Sequence, residues 1–321
     1  MADNQEYLSN LLSDGKWDSI NFIAFKKAIK PIFFTANGFM HWARADLPST
    51  IKLELKKHAE IMIADPDLSA DDLVVNYTNL ANSLNQGTQH ELFFDLPERF
   101  LEWPADTISQ KAQKLVAEIK SSLQSNGVRR ERAVSLISLV AEQSNAQSRK
   151  STSGSVAEDV VELVLRQAGL KLGTTYGKQW KSAEGSDTDL IIPYAEDGKH
   201  VDVSAYIAVQ SSSNDRVRLS SSELHKGGRR FLCSLNGCPA SSKGTKDIGN
   251  ELVGGYIKDE NFYVVIDSEK QKALKAAEKK LAKLSGTDKE TEITMAKDRV
   301  KWLSEFTMSF NSFAEYASAF K

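Results

Sequence analysis

Two carboxylates, Asp187 and Asp189, stand at the head of a short apolar run, Leu190-Ile191-Ile192, that ends at Pro193. Asp197-Gly198 then reads as a hairpin signal, and a second β-rich run extends from Val201 to Gln210. A strand alternates its side chains with a period of two. Val201, Val203, Ala205, Ile207 and Val209 therefore share one face, and Asp202, Ser204, Tyr206, Ala208 and Gln210 share the other. The spacing predicts an acid at the mouth of one strand facing the polar side of its neighbour. Mg²⁺ sites are often built this way, because the ion takes a few carboxylate oxygens and keeps several of its waters.

Past the second run come Asn214-Asp215-Arg216-Val217-Arg218, then Glu223, Lys226, Arg229 and Arg230. The whole stretch from Gly185 to Arg230 resembles the PD-(D/E)XK nuclease core shared by most type II restriction endonucleases. The family places an acid on one strand and acid-x-Lys on the next; the matching positions are Asp189, Ala208 and Gln210. Ala208 cannot bind a metal and Gln210 cannot carry a positive charge, although some members carry Gln in the Lys place. In the subgroup that reads CCGG-like or CCNGG-like sites, the second acid has moved to the following helix. Glu223, thirteen residues past Gln210, matches that position. The same subgroup reads G and C edges with an acid flanked by arginines, as in Asn214 to Arg218.

The resemblance implies a mixed central sheet flanked by helices, a restriction-endonuclease-like core of α+β or α/β class. It implies Asp189 and Glu223 as Mg²⁺ ligands with the Val209 carbonyl as a third, and Gln210 orienting the attacking water or the phosphate. Asp187 is the substitute for Asp189. A glutamate near the site is expected on the helix that opens the core, and Glu158 or Glu162 fits. Arginine pairs with guanine O6 and N7, and aspartate accepts from cytosine N4, so Asn214, Asp215, Arg216 and Arg218 would read bases. Lys226, Arg229, Arg230 and Arg149 would hold phosphates and set register.

Each of these residues has a plainer role open to it. Asp187 and Asp189 can cap a turn, and Glu223 can open a helix after Ser220-Ser221-Ser222. Arg216 and Arg218 can be surface ion-pair residues, and Glu162 can pair with Arg166 at i+4. Three functions follow. The first is a homodimeric type II restriction endonuclease reading a palindromic, G/C-containing site in double-stranded DNA. The second is a nuclease-fold DNA-binding protein without cleavage, natural or engineered. The third is a helical interaction protein with an α/β scaffold.

Composition sets bounds on these. Lys plus Arg number 41 against 43 Asp plus Glu, so no global positive charge draws the chain to nucleic acid; only a local field in a cleft could. The two cysteines, Cys233 and Cys238, lack the partners of a structural zinc site. The start has no basic segment followed by an apolar run, and no stretch has the length of a membrane span. The expectation is a protein of the bacterial cytoplasm with no membrane partner.

Along the chain, residues 1–143 read as a helical domain for DNA wrapping or dimerisation. Asp65-Pro66 breaks it, Ser69 starts a helix, and Asn126-Gly127 stops another. Trp17, Trp42 and Trp103 read as core or interface residues, and His41, His58 and His90 have no metal spacing. The Ser-rich stretch 144–155 reads as a linker. Residues 156–321 read as the catalytic domain with trailing helices. A helix from Ser155 to Ala168 opens it; strands follow at Phe231–Leu235 and Phe262–Ile266, then a Lys-rich helix at Ser268–Ser285. Its lysines could touch phosphate or simply form a solvated face. The final stripe, Phe306, Phe310, Phe313 and Tyr316, must pack on something.

Overall fold

The computed structural model describes residue 12 and residues 22–45, 47–181, 187–197, 203–210, 228–235 and 250–321. The chain forms two compact units, Met1–Leu55 with Ala81–Ser151, and Lys56–Leu80 with Thr152–Lys321. The helices are α1 (Phe22–Phe33), α2 (Phe39–Ala43), α3 (Leu47–Ala64), α4 (Ala70–Glu102), α5 (Gln110–Gln124) and α6 (Val128–Gln167), and the division falls inside α3, α4 and α6.

The first unit is helical around an aromatic knot. Phe39 meets Phe100 edge-on at 4.8 Å between ring centroids, and Trp103 lies 5.7 Å from both. Ile119, Ile137 and Val140 are fully buried around it. Trp103 is core as expected; Trp42 is 37% exposed and stacks on Phe39. A helix leaves its last carbonyls without intrahelical partners. Lys120 Nζ supplies two, donating at 2.8 Å to the carbonyls of Leu101 and Trp103 at the end of α4. Burial lowers the pKa of that ammonium.

Residues 144–155, read as a linker, continue α6 without a break. Serine favours turns only where nothing else extends the helix. Here Ala133, Leu136, Ile137 and Val140 before the stretch, and Val156, Val160, Leu163 and Val164 after it, are buried helix positions, and no proline interrupts them. Flanking packing outweighs a weak local preference.

The second unit is a six-stranded mixed sheet flanked by helices. Its strands are β1 (Gly177–Lys181), β2 (Asp187–Ile192), β3 (Ala205–Gln210), β4 (Arg229–Ser234), β5 (Phe262–Val265) and β6 (Thr307–Ser309), in that spatial order. β1, β2 and β3 are antiparallel; β3, β4, β5 and β6 run parallel. Parallel strands need crossovers, which α7 (Asn250–Lys258) supplies for β4–β5, and α8 (Asp267–Leu284) with α9 (Glu290–Glu305) for β5–β6.

Both faces of the parallel part are covered, which explains the continuous apolar run in β5. Leu232, Tyr263 and Val265 pack with Tyr256 of α7, Ala273 and Ala277 of α8, and Trp302 and Leu303 of α9. Elsewhere Phe231 stacks on Phe262 at 5.5 Å and meets Phe313 at 5.3 Å, so the final aromatic stripe packs through α10 (Phe310–Ser318). The alternation read into β3 is corrected accordingly. Tyr206 is buried in a cluster with Trp180, Ile191 and Val203, and Ala208 packs against the Leu232 cluster. Two positions of the face read as polar are thus covered by apolar groups; Asp202 lies outside the described residues and Gln210 is placed by backbone only.

A buried acid joins α4 to α10. The Asp71 carboxylate accepts the Phe310 N–H, and the Asp71 N–H donates to Asn311 Oδ1, both at 3.1 Å. Desolvation raises the pKa of this carboxyl group, opposed by its backbone hydrogen bonds. Among the described residues no helix is long and apolar enough to cross a membrane.

Candidate functional site

The strand order places Asp189 where two parts of the sheet separate. β2 keeps to β1 as far as Trp180↔Thr188 and Lys181↔Asp187. β2 pairs with β3 from Ile192↔Ala205 to Leu190↔Ile207. β3 instead continues along β4 through Ala208↔Leu232, Val209↔Cys233 and Gln210↔Ser234. At this fork the Val209 N–H donates to Asp189 Oδ2 at 2.7 Å, a short, charge-assisted bond. The side chain of Asp189 thus takes a ladder donor at the mouth of the sheet. Main-chain N–H and C=O of one strand residue share an edge, so the Val209 carbonyl faces the same fork.

Asp189 is half-buried, while Val209 and Thr188 are buried. The neighbouring Cys233 thiol is fully enclosed, and burial pushes its pKa up, with the Asp189 charge adding to the effect. It stays a protonated thiol and is no nucleophile.

On the other side of Asp189 lies Gln179 of β1, opposite it in the continuous β1–β2 register. Gln179 adopts φ +53, a left-handed conformation within a strand, uncommon for a residue other than glycine. Its Nε2 donates at 3.0 Å to Glu158 Oε2 of α6. Glu158 is therefore tied to Gln179, the strand residue level with Asp189. Sequence reasoning missed Gln179, and no sequence signal marks it.

Glu162 takes a different partner from the one its spacing suggested. Lys178 Nζ lies 3.2 Å from Glu162 and 3.7 Å from Asp159. Burial acts to lower the Lys178 pKa, but the acids, Glu162 foremost, outweigh it and the net shift is upward. Arg166, the i+4 residue, bonds Glu60 at 2.8 Å instead.

Arg229 and Arg230 are not brought to Asp189. They open β4, level with Ala205 and Tyr206, whereas Asp189 bonds Val209, four residues on. At roughly 3.3 Å per residue that is about 13 Å along the sheet. The Arg229 guanidinium sits over the rings of Tyr316 (5.4 Å) and Phe262 (5.7 Å). Asn214, Asp215, Arg216, Arg218, Glu223 and Lys226 lie outside the described residues. Arg149, Asp187 and Gln210 are placed by backbone only, in α6, β2 and β3.

Mg²⁺ takes oxygen ligands and keeps waters, with one or two protein carboxylates. Asp189 Oδ and the Val209 carbonyl fit as two such donors. Among the described residues no three His, Cys, Asp or Glu side chains gather as a metal cluster. No protein-family model, no curated protein and no solved structure matches this chain.

Proposed function

We propose that the chain is a Mg²⁺-dependent endonuclease of PD-(D/E)XK type, a type II restriction enzyme cutting double-stranded DNA at a short palindromic site containing G and C. The observation that carries this reading is the Asp189 carboxylate at the fork of β2 and β3, 2.7 Å from the Val209 N–H. Asp189 lies within β2, one residue before the stretch that pairs with β3. Asp189 and Glu223 would hold the ion with the Val209 carbonyl. Bound Mg²⁺ would neutralise phosphate charge and activate the attacking water. Gln210 would donate a neutral hydrogen bond to the attacking water or to a phosphate oxygen. Asp215 and Arg216 read a C·G step from the major groove. A homodimer matches its two-fold axis to that of the DNA, and a bacterial cytoplasmic location goes with this role.

The test is digestion of mixed-sequence DNA with Mg²⁺, followed by sequencing of the ends, for the wild type, Asp189→Ala and Glu223→Ala. Ends that share a short palindrome, lost in both variants, support the reading; random ends or none overturn it. One observation favours a second reading, a sequence-specific DNA-binding protein without cleavage. Ala208, where the family's strand acid would stand, packs against an apolar cluster. Selective binding in Ca²⁺ with no cutting in Mg²⁺ identifies that case.

A further inference from the structure

We infer that the outer face of α8 binds the phosphate backbone of double-stranded DNA, as a second contact surface apart from the fork at Asp189. The inference rests on duplex DNA as the ligand proposed above, but not on cleavage.

α8 carries six lysines, and their placement is not uniform. At 3.6 residues per turn, Lys272, Lys275, Lys279 and Lys283 fall within an arc of about 80°. All four are exposed. The buried positions of the helix, Ala273 and Ala277, point to the far side. The acids Glu269 and Glu278 fall outside the lysine arc. Lys272 reaches Glu269 only at 3.8 Å, with its side chain 73% exposed. Among the described residues no ion pair holds Lys275, Lys279 or Lys283. A chain with slightly more acids than bases therefore concentrates four exposed lysines along one line, with only Lys272 in an exposed ion pair.

The position of the line selects its ligand. Val209, Cys233 and Val264 are level across β3, β4 and β5, and α8 begins at Asp267, just past Val264. Its first turn thus stands at the end of the sheet where Asp189 lies, three strands or about 14 Å to the side of β2. Ala273 and Ala277 belong to the cluster on which Ala208 packs, so the lysines form the outer side of the layer over that face. The line is about 16 Å long, at 1.5 Å per residue. A duplex presents one phosphate charge per roughly 1.7 Å of axis, enough for every lysine to find one.

The experiment measures binding of a fixed duplex against salt concentration, without Mg²⁺. It compares the wild type with the combined variant Lys272→Gln, Lys275→Gln, Lys279→Gln and Lys283→Gln. The control is Lys27→Gln with Lys30→Gln on α1, two exposed lysines in the other unit. With about 0.9 in slope per neutralised phosphate, the slope of log K against log salt should fall by about 3–4. It should fall equally for cognate and scrambled duplexes, and arginine at the same four sites should restore it. A change below about 1, or one equal to the control, overturns the proposal, as does loss of vesicle binding with an unchanged duplex slope. If the slope falls but the wild type never cuts DNA, the nuclease reading fails and this one stands. If cutting is intact and the slope unchanged, only this one fails.

Discussion

Asp189 bonds β3 at the fork and, in the proposed reading, is also a Mg²⁺ ligand; the two roles separate in two variants. Asp189→Ala leaves the Val209 N–H, on a residue only 3% exposed, without the carboxylate it bonds at 2.7 Å. An unsatisfied buried donor costs about 1–3 kcal/mol. For a unit of this size that lowers Tm by about 2–12 °C, at roughly 2–4 °C per kcal/mol. Asp189→Asn keeps an amide oxygen for the same N–H and should cost less than about 1 kcal/mol, since a neutral acceptor replaces a charged one. A neutral amide is nevertheless a poor ligand for a hard cation. Both variants should therefore lose Mg²⁺-dependent cleavage, while only Ala loses substantial stability. Calorimetry and single-turnover cleavage at saturating duplex measure the two effects separately. Cleavage by Asp189→Asn at the wild-type rate would refute the ligand role. Equal melting temperatures for Asp189→Ala and wild type would refute the structural one.

Arg216→Ala should bring specific binding close to the non-specific level. A bidentate arginine–guanine pair is worth about 1–3 kcal/mol, lost twice in a dimer, and a competition titration of cognate against scrambled duplex at fixed salt reads the change. Arg229→Ala should leave that preference intact and lower stability by about 1–2 kcal/mol, since its guanidinium lies over two rings and each such contact contributes about 0.5–1 kcal/mol; urea melts check it. Asp71→Asn should gain stability relative to the wild type as pH rises. The folded-state pKa of Asp71 is raised, so its contribution is full below the unfolded carboxyl pKa and is lost as pH climbs through the folded one. Melting both proteins from acid to neutral pH tests the sign.

Much of the fold is legible where local chemistry decides it. Asp65-Pro66 ends α3, and the Ser69 hydroxyl accepts the Asp72 N–H at 3.1 Å to start the next helix. Gly127, at φ +68, and Gly169, at φ +93, stand at the breaks their residue type predicts. What sequence does not reveal depends on pairing. β1 is Gly-Lys-Gln-Trp-Lys, without an apolar alternation, and exists because β2 offers it an edge. β6 has three residues and is held by β5. The fate of 144–155 turned on burial before and after it, not on its own serines.

For the site, the period of two was enough to find Asp189 and the strand it faces, but the direction of β4 was not readable. Parallel pairing puts Arg229 and Arg230 at the end of the sheet away from Asp189, although Arg229 follows Gln210 by only nineteen residues. The level at which Asp189 bonds β3, Val209, pairs with Cys233, four residues beyond Arg229, so the β4 arginines stand about 13 Å along the sheet from the fork.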